Sequence, residues 1–212
     1  MWLYILQGIG YGFTAAVQPG PFQTHLISQA LLKGWRRTLP TALAPLVSDG
    51  PIVTICIFIL SQIPLWFQRF LYAAGGLFIL YLAYGSYQSW RSLDSSPPAP
   101  ESGIHQSLFK AALTNALSPG AYIFWSLVTG PILLRGWRET PVNGIGFLAG
   151  FYGTMVLSLA AIIMAFGAAQ KLGRKVNRLL LGVSAIALFC FGAYQLWLGM
   201  VVWADSRFLP SR

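Results

Sequence analysis

The feature that most constrains this chain is a long apolar stretch, residues 2–32, interrupted at its centre by Pro19-Gly20-Pro21. Pro19 and Pro21 each lack an N–H, and Gly20 tolerates backbone angles that other residues avoid, so no regular helix is expected to run through. About 20 apolar residues cross a bilayer, and the break accounts for the excess length. In lipid, a freed carbonyl needs a partner, so such a break survives only where protein or a water-filled cavity surrounds it. The alternative is a proline kink that serves packing alone. Against it stands an echo about a hundred residues later. Leu117-Ser118-Pro119-Gly120-Ala121 repeats the break, and the basic-Gly-Trp triplets Lys33-Gly34-Trp35 and Arg135-Gly136-Trp137 follow the two breaks.

Composition sets the class. Charged residues make up 9% against a usual ~25%, apolar residues 56%, and the mean hydropathy is +0.62. The chain reads as an all-α integral membrane protein. Its net charge of +9 arises from 14 Lys and Arg against only 5 Asp and Glu. The bases gather at segment ends, as membrane anchoring requires, so nucleic-acid binding is not inferred. No Lys or Arg precedes Lys33, so the basic start of a secretory signal is missing and the first segment reads as a span.

Six helices are expected, over about 2–32, 38–62, 65–90, 108–134, 142–169 and 179–203. The first and fourth are broken at Pro-Gly. Residues 91–107, with Ser95-Ser96-Pro97-Pro98-Ala99-Pro100 at their heart, read as an extended linker on the cytoplasmic side. Gly8 and Gly12 are spaced to let another helix approach closely, Gly75-Gly76 marks a close-packed face, and Gly146, Gly150 and Gly153 lie along one stretch.

A second echo extends the first. Gly85-Ser86-Tyr87-Gln88-Ser89-Trp90 recurs as Gly192-Ala193-Tyr194-Gln195-Leu196-Trp197, and the same offset places Gly75 on Gly182. Matches in the same order imply internal duplication. The halves are 1–90 and 108–212, the latter ending in a short tail. Three spans per half is odd, so the second half enters the membrane upside down, a 3+3 inverted repeat. The connections after spans one, three and five carry Lys33, Arg36, Arg37, Arg91, Lys110, Lys171, Arg174, Lys175 and Arg178, nine of the 14 bases. That excess puts both termini on the non-cytoplasmic side.

Asp49 is the only acid within a span, with Pro45 and Pro51 on either side. Intramembrane acids mark ion or substrate paths, and burying one costs at least ~2.5 kcal/mol. Asp49 either takes a proton or faces a cationic ligand, since no Lys or Arg lies at matching depth. The bland alternative is an acid that only braces the broken helix. His25, one turn past the first break, is a candidate proton relay, although a lone histidine is more often a packed hydrogen-bonder. Cys56 and Cys190 lie in separate apolar runs with no CxxC and read as buried thiols. No metal-ligand set and no nucleophile–base pair is visible, so neither an enzyme nor a metal or other cofactor is expected.

These residues carry a resemblance. Pro19-Gly20-Pro21, the run Ser28-Gln29-Ala30-Leu31-Leu32-Lys33-Gly34 and Asp49-Gly50 are similar to the lysine-exporter (LysE-type) translocators. The third-span pattern of 70–84 and Phe109-Lys110 with Thr114-Asn115-Ala116-Leu117-Ser118-Pro119 fit the same family. Two departures stand out. Phe22 precedes Gln23 where the family commonly has a polar residue straight after Pro-Gly-Pro, and Ser118-Pro119-Gly120 replaces a common Asn-Pro-Lys. The resemblance implies a plasma (inner) membrane exporter of amino acids or related metabolites, driven by the proton motive force. The two breaks with Asp49 between them suit a small zwitterionic or cationic substrate, and a homo-oligomer is left open. The expected site comprises Gln18, Pro19, Gly20, Pro21, Gln23, Asp49, Asn115, Ser118, Pro119 and Gly120. A cation or metal-ion exporter or channel on a related plan is the alternative.

Overall fold

Proline sets the stops and starts of this fold. In the computed structural model, residues 1–58, 65–92, 103–169 and 173–205 are described, and all regular structure among them is helical. Helix α1 spans Trp2–Val17 and α2 spans Pro21–Lys33. Three residues between them, Gln18 to Gly20, leave the helical path. Pro21 opens α2 at its first position, where a missing N–H costs nothing. Gly34 ends α2 at φ 79°, a left-handed angle that favours glycine. A short helix α3, Trp35–Thr38, and a 3₁₀ turn, Leu39–Leu43, lead into α4, Ala44–Phe58, which carries Pro51 in its interior.

Helix α5 covers Leu65–Ser92 and α6 covers Ile104–Ala116. After the break at Leu117-Ser118 come α7, Pro119–Phe124, a single π-helical turn, Trp125–Thr129, and α8, Gly130–Glu139. The path bends by 59° between α6 and the segment Pro119–Glu139. Helix α9, Pro141–Ala169, and α10, Arg174–Asp205, complete the described chain.

Three described helices are long and apolar enough to cross a membrane: Phe70–Arg91, Pro141–Ala169 and Lys175–Met200; the bent pair adds a fourth. Helix α1, 16 residues, is about 24 Å long, short of a ~30 Å hydrocarbon core. Large apolar side chains point outward along these helices, among them Trp2 and Leu127, each 74% exposed, and Leu157 at 71%. Soluble monomers rarely expose apolar surface on this scale, so lipid is its natural solvent. Arg91 and Ser92 finish α5 and α6 starts at Ile104; residues 93–102, the greater part of the linker expected over 91–107, lie outside the described set. Of the bases before the last span, Arg174, Lys175 and Arg178 lie in the first turns of α10, where the Arg178 guanidinium sits 5.3 Å from the Trp90 ring; Lys171 lies outside the described set.

Glycine decides which helices touch backbone to backbone. A Cβ on Gly8 would overlap the Phe147 carbonyl, and one on Gly12 the Phe151 carbonyl, so α1 lies directly on α9. Gly150 answers from α9, where a Cβ would come 2.5 Å from the Ile5 carbonyl. Gly153 meets nothing and takes no part. Helices α5 and α10 approach at Gly76, where a Cβ would come within 3.1 Å of the Gly192 carbonyl. Gly12→Leu is expected to lower the melting temperature in detergent by several degrees, since overpacking costs about 1–3 kcal/mol and each kcal/mol shifts Tm by roughly 2–4 °C in a chain of this size. Gly10→Leu, facing open space on the same helix, is the matched control and should leave it within a degree or so.

Candidate functional site

The two breaks meet. Between them lies a cavity of about 230 Å³ lined by Gln18, Pro19, Gly20, Pro21 and Gln23 from the first break, and Asn115, Ser118 and Gly120 from the second. Asp49 on α4 forms part of the same wall. Of the residues expected there, Pro119 is buried behind the lining rather than in it.

Each break satisfies its own backbone. Thr14 accepts from Gln18 N–H, and the Gln23 side-chain amide donates to the Ala15 carbonyl at 3.0 Å. The carbonyl that a regular helix would have paired with Pro19 is therefore taken by protein, not left for a ligand. At the second break the Gln195 amide donates to the carbonyls of Leu117 and of Leu71, each at 3.2 Å. Gly75 leaves room for this junction, since a Cβ there would overlap both the Gln195 amide and the Leu117 carbonyl. Its counterpart in the sequence echo, Gln88, is exposed, so equal spacing does not give equal roles.

Glycine is less essential at the breaks than the sequence suggests. Gly20 adopts φ −169°, an extended angle open to any residue, and its Cβ would meet only the Gln23 Oε1 at 3.3 Å. The prolines, not Gly20, stop the helix. The two basic-Gly-Trp triplets also diverge: Gly34 terminates α2, whereas Gly136 lies inside α8, packed under the Tyr4 ring.

Asp49 is 4% exposed and ringed by donors. The Asn115 amide donates one hydrogen to Asp49 Oδ1 at 2.7 Å and the other to Ser48 Oγ at 2.8 Å; Ser48 in turn donates to the Ala44 carbonyl at 3.1 Å. The Trp125 indole N–H points at Asp49 Oδ2 from 3.4 Å, and the Tyr152 hydroxyl is a further partner. Asn115 thus ties the residue before the second break to the carboxylate on α4.

Trp125 owes its position to the π-helical turn. Pro131 offers no N–H to the helix, Thr129 Oγ donates to the Phe124 carbonyl at 3.2 Å, and a Cβ on Gly130 would overlap the Trp125 carbonyl. Such one-residue widenings frequently occur at functional sites. Trp125 meets Phe151 edge to face, with ring centroids 5.2 Å apart, and Phe124 lies 6.3 Å from Phe151. Trp125, Tyr152, Ser48 and the aromatic wall carry no local signal in the sequence beyond Gly130-Pro131, five and six residues past Trp125.

His25 is also buried, at 3% exposed, but does not line the cavity. Neither ring nitrogen has a hydrogen-bond partner among the described residues, so no bonded path links it to Asp49 there. Cys190 is an exposed free thiol, not the buried one expected, because α10 turns it outward; the Cys56 side chain lies outside the described set.

Outward-facing apolar helices that enclose a small cavity with one buried carboxylate between two interrupted segments fit a membrane translocator. A family model described as LysE type translocator matches residues 13–199. The chain belongs to that family, whose members are membrane exporters of amino acids or related substances. No curated protein and no solved structure matches it.

Proposed function

We propose that this protein exports an amino acid or a closely related metabolite across the plasma (inner) membrane, in exchange for protons, through the cavity between the two breaks. The observation that carries the reading is Asp49, a buried carboxylate in that cavity, held by Asn115 from the second broken helix. An ammonium group and a proton compete for such a carboxylate, and that competition couples one flux to the other. Helix α2 begins at the cavity, so its first N–H groups and positive dipole end suit the substrate carboxylate.

The 3+3 inverted repeat belongs to the same proposal. Residues 1–90 and 108–203 would superpose about an axis in the membrane plane, with Pro19 on Pro119 and Trp90 on Trp197. Two features support it. Helix α1 lies on α9 as α6 lies on α4, and the pairs Tyr87–Trp90 and Tyr194–Trp197 hold their rings 5.8 and 5.9 Å apart at matching offsets. Rocking one half against the other would expose the site to each side in turn. The base count favours termini on the non-cytoplasmic side, which a cysteine-labelling assay from outside intact cells would check.

The test is efflux from proteoliposomes under an imposed pH gradient, with labelled amino acids in one series and divalent cations in the other. At least one amino acid should leave faster with the gradient than without it. Movement of a divalent cation alone would replace the reading with the cation exporter.

A further inference from the structure

The cavity's lining points to a substrate class. Among the described residues that line it, Asp49 is the only charged one; no Lys, Arg, His or Glu faces the space. Apart from the polar residues of the two breaks, the lining is apolar and largely aromatic, with Phe22, Phe124, Trp125, Phe151, Met155 and Leu159. Phe22, Trp125, Phe151, Met155 and Leu159 are each at most 6% exposed, so this wall is fixed by packing on its far side. The carboxylate and the aromatic wall adjoin, because the Trp125 indole that donates to Asp49 Oδ2 also meets Phe151 edge to face. The volume, about 230 Å³, is below the ~300–1,000 Å³ of sites for drug-sized ligands and suits a molecule of amino-acid size.

We infer that the site selects amino acids that carry one ammonium group and an apolar side chain, and rejects those with a second charge. This rests on the reading of the cavity as the substrate site. A single ammonium has Asp49 as its partner, and an apolar side chain covers the Phe151 and Met155 faces without desolvating any polar group. The terminal ammonium of lysine or the guanidinium of arginine would enter the same apolar wall with no second acid to meet it. A buried charge without a partner is costly, so the penalty falls on doubly charged substrates. Aromatic faces soften it only partly, because a cation over a ring gains less than a desolvated charge loses.

Efflux of labelled leucine, methionine and phenylalanine is measured against lysine, arginine and glutamate, from the same proteoliposomes at equal internal concentration. The apolar set is expected to leave more than about tenfold faster, the order that leaving one buried group unsatisfied imposes. Met155→Glu adds an acid to the apolar wall and should raise lysine efflux relative to phenylalanine by a similar factor, while Met155→Gln, polar but neutral, should not. Lysine, arginine or glutamate leaving the unmodified protein as fast as phenylalanine, with Asp49→Asn stopping it, would overturn the selectivity and leave the site in place. No movement of any amino acid would overturn both. The comparison on the unmodified protein decides the matter even if Met155→Glu fails to insert.

Discussion

Asp49→Asn is expected to insert at near-normal yield and to lose gradient-driven efflux by about 100-fold or more, the scale on which removing a positioned proton-transfer group acts. The fold should tolerate the change because Asn115 still finds an oxygen at position 49. One contact worsens, since an Asn amide would turn its N–H₂ toward the Trp125 indole N–H now 3.4 Å from Oδ2. That mismatch costs about 1–3 kcal/mol at most. Tyr152 relieves part of it, because a hydroxyl can accept as well as donate. Transport fails for a different reason: an amide neither binds and releases a proton nor attracts an ammonium ion. Asp49→Glu should retain partial activity with a displaced pH optimum, because the carboxylate survives but moves by a methylene. If Asp49 only braces α4 against α6 through Asn115, Asn will be nearly silent for transport and Ala will lower the yield.

The second large effect is expected from replacing Pro19, Gly20 and Pro21 together by alanine. A proline inside a helix disfavours it by about 3 kcal/mol and a glycine by about 1 kcal/mol. Their removal lets the helix run from Trp2 to Lys33. Pairing would then become regular, Gln23 would release the Ala15 carbonyl, and the cavity would lose the wall made by residues 18 to 23. The triple variant should keep or gain thermal stability while efflux falls at least about tenfold, as it does when positioning is lost. Undiminished efflux would mean that the break serves packing alone.

How much of this was legible in the sequence depends on how local each signal is. Proline stops a helix wherever it stands, so both breaks could be placed from sequence, and an acid inside an apolar segment stands out without any partner. Asn115 and Ser118 followed because they flank the second break. Small residues four apart marked α1 as a contact helix, but nothing local named α9 as its partner. Trp125 and Tyr152 are 76 and 103 positions from Asp49, and only the π-helical turn and the docking of α9 bring them to it. Gln195 was read as one half of an echo; its task, bonding the carbonyl at the second break, depends on Gly75 letting three helices converge. Gly20 departs from expectation for the opposite reason: a residue type with special freedom sits where that freedom is not used.

Whether the space between the breaks holds the transported molecule can be read by site-directed labelling. Ser118→Cys, in a chain with Cys56 and Cys190 replaced by alanine, places one thiol on the cavity lining. Its alkylation rate by a small maleimide is measured in proteoliposomes with and without the amino acid found to be exported. This amino acid is expected to slow labelling in proportion to its occupancy of the transport site, whereas a non-transported amino acid does not. Labelling at an unchanged rate under saturating substrate, by a variant that still transports, would contradict it.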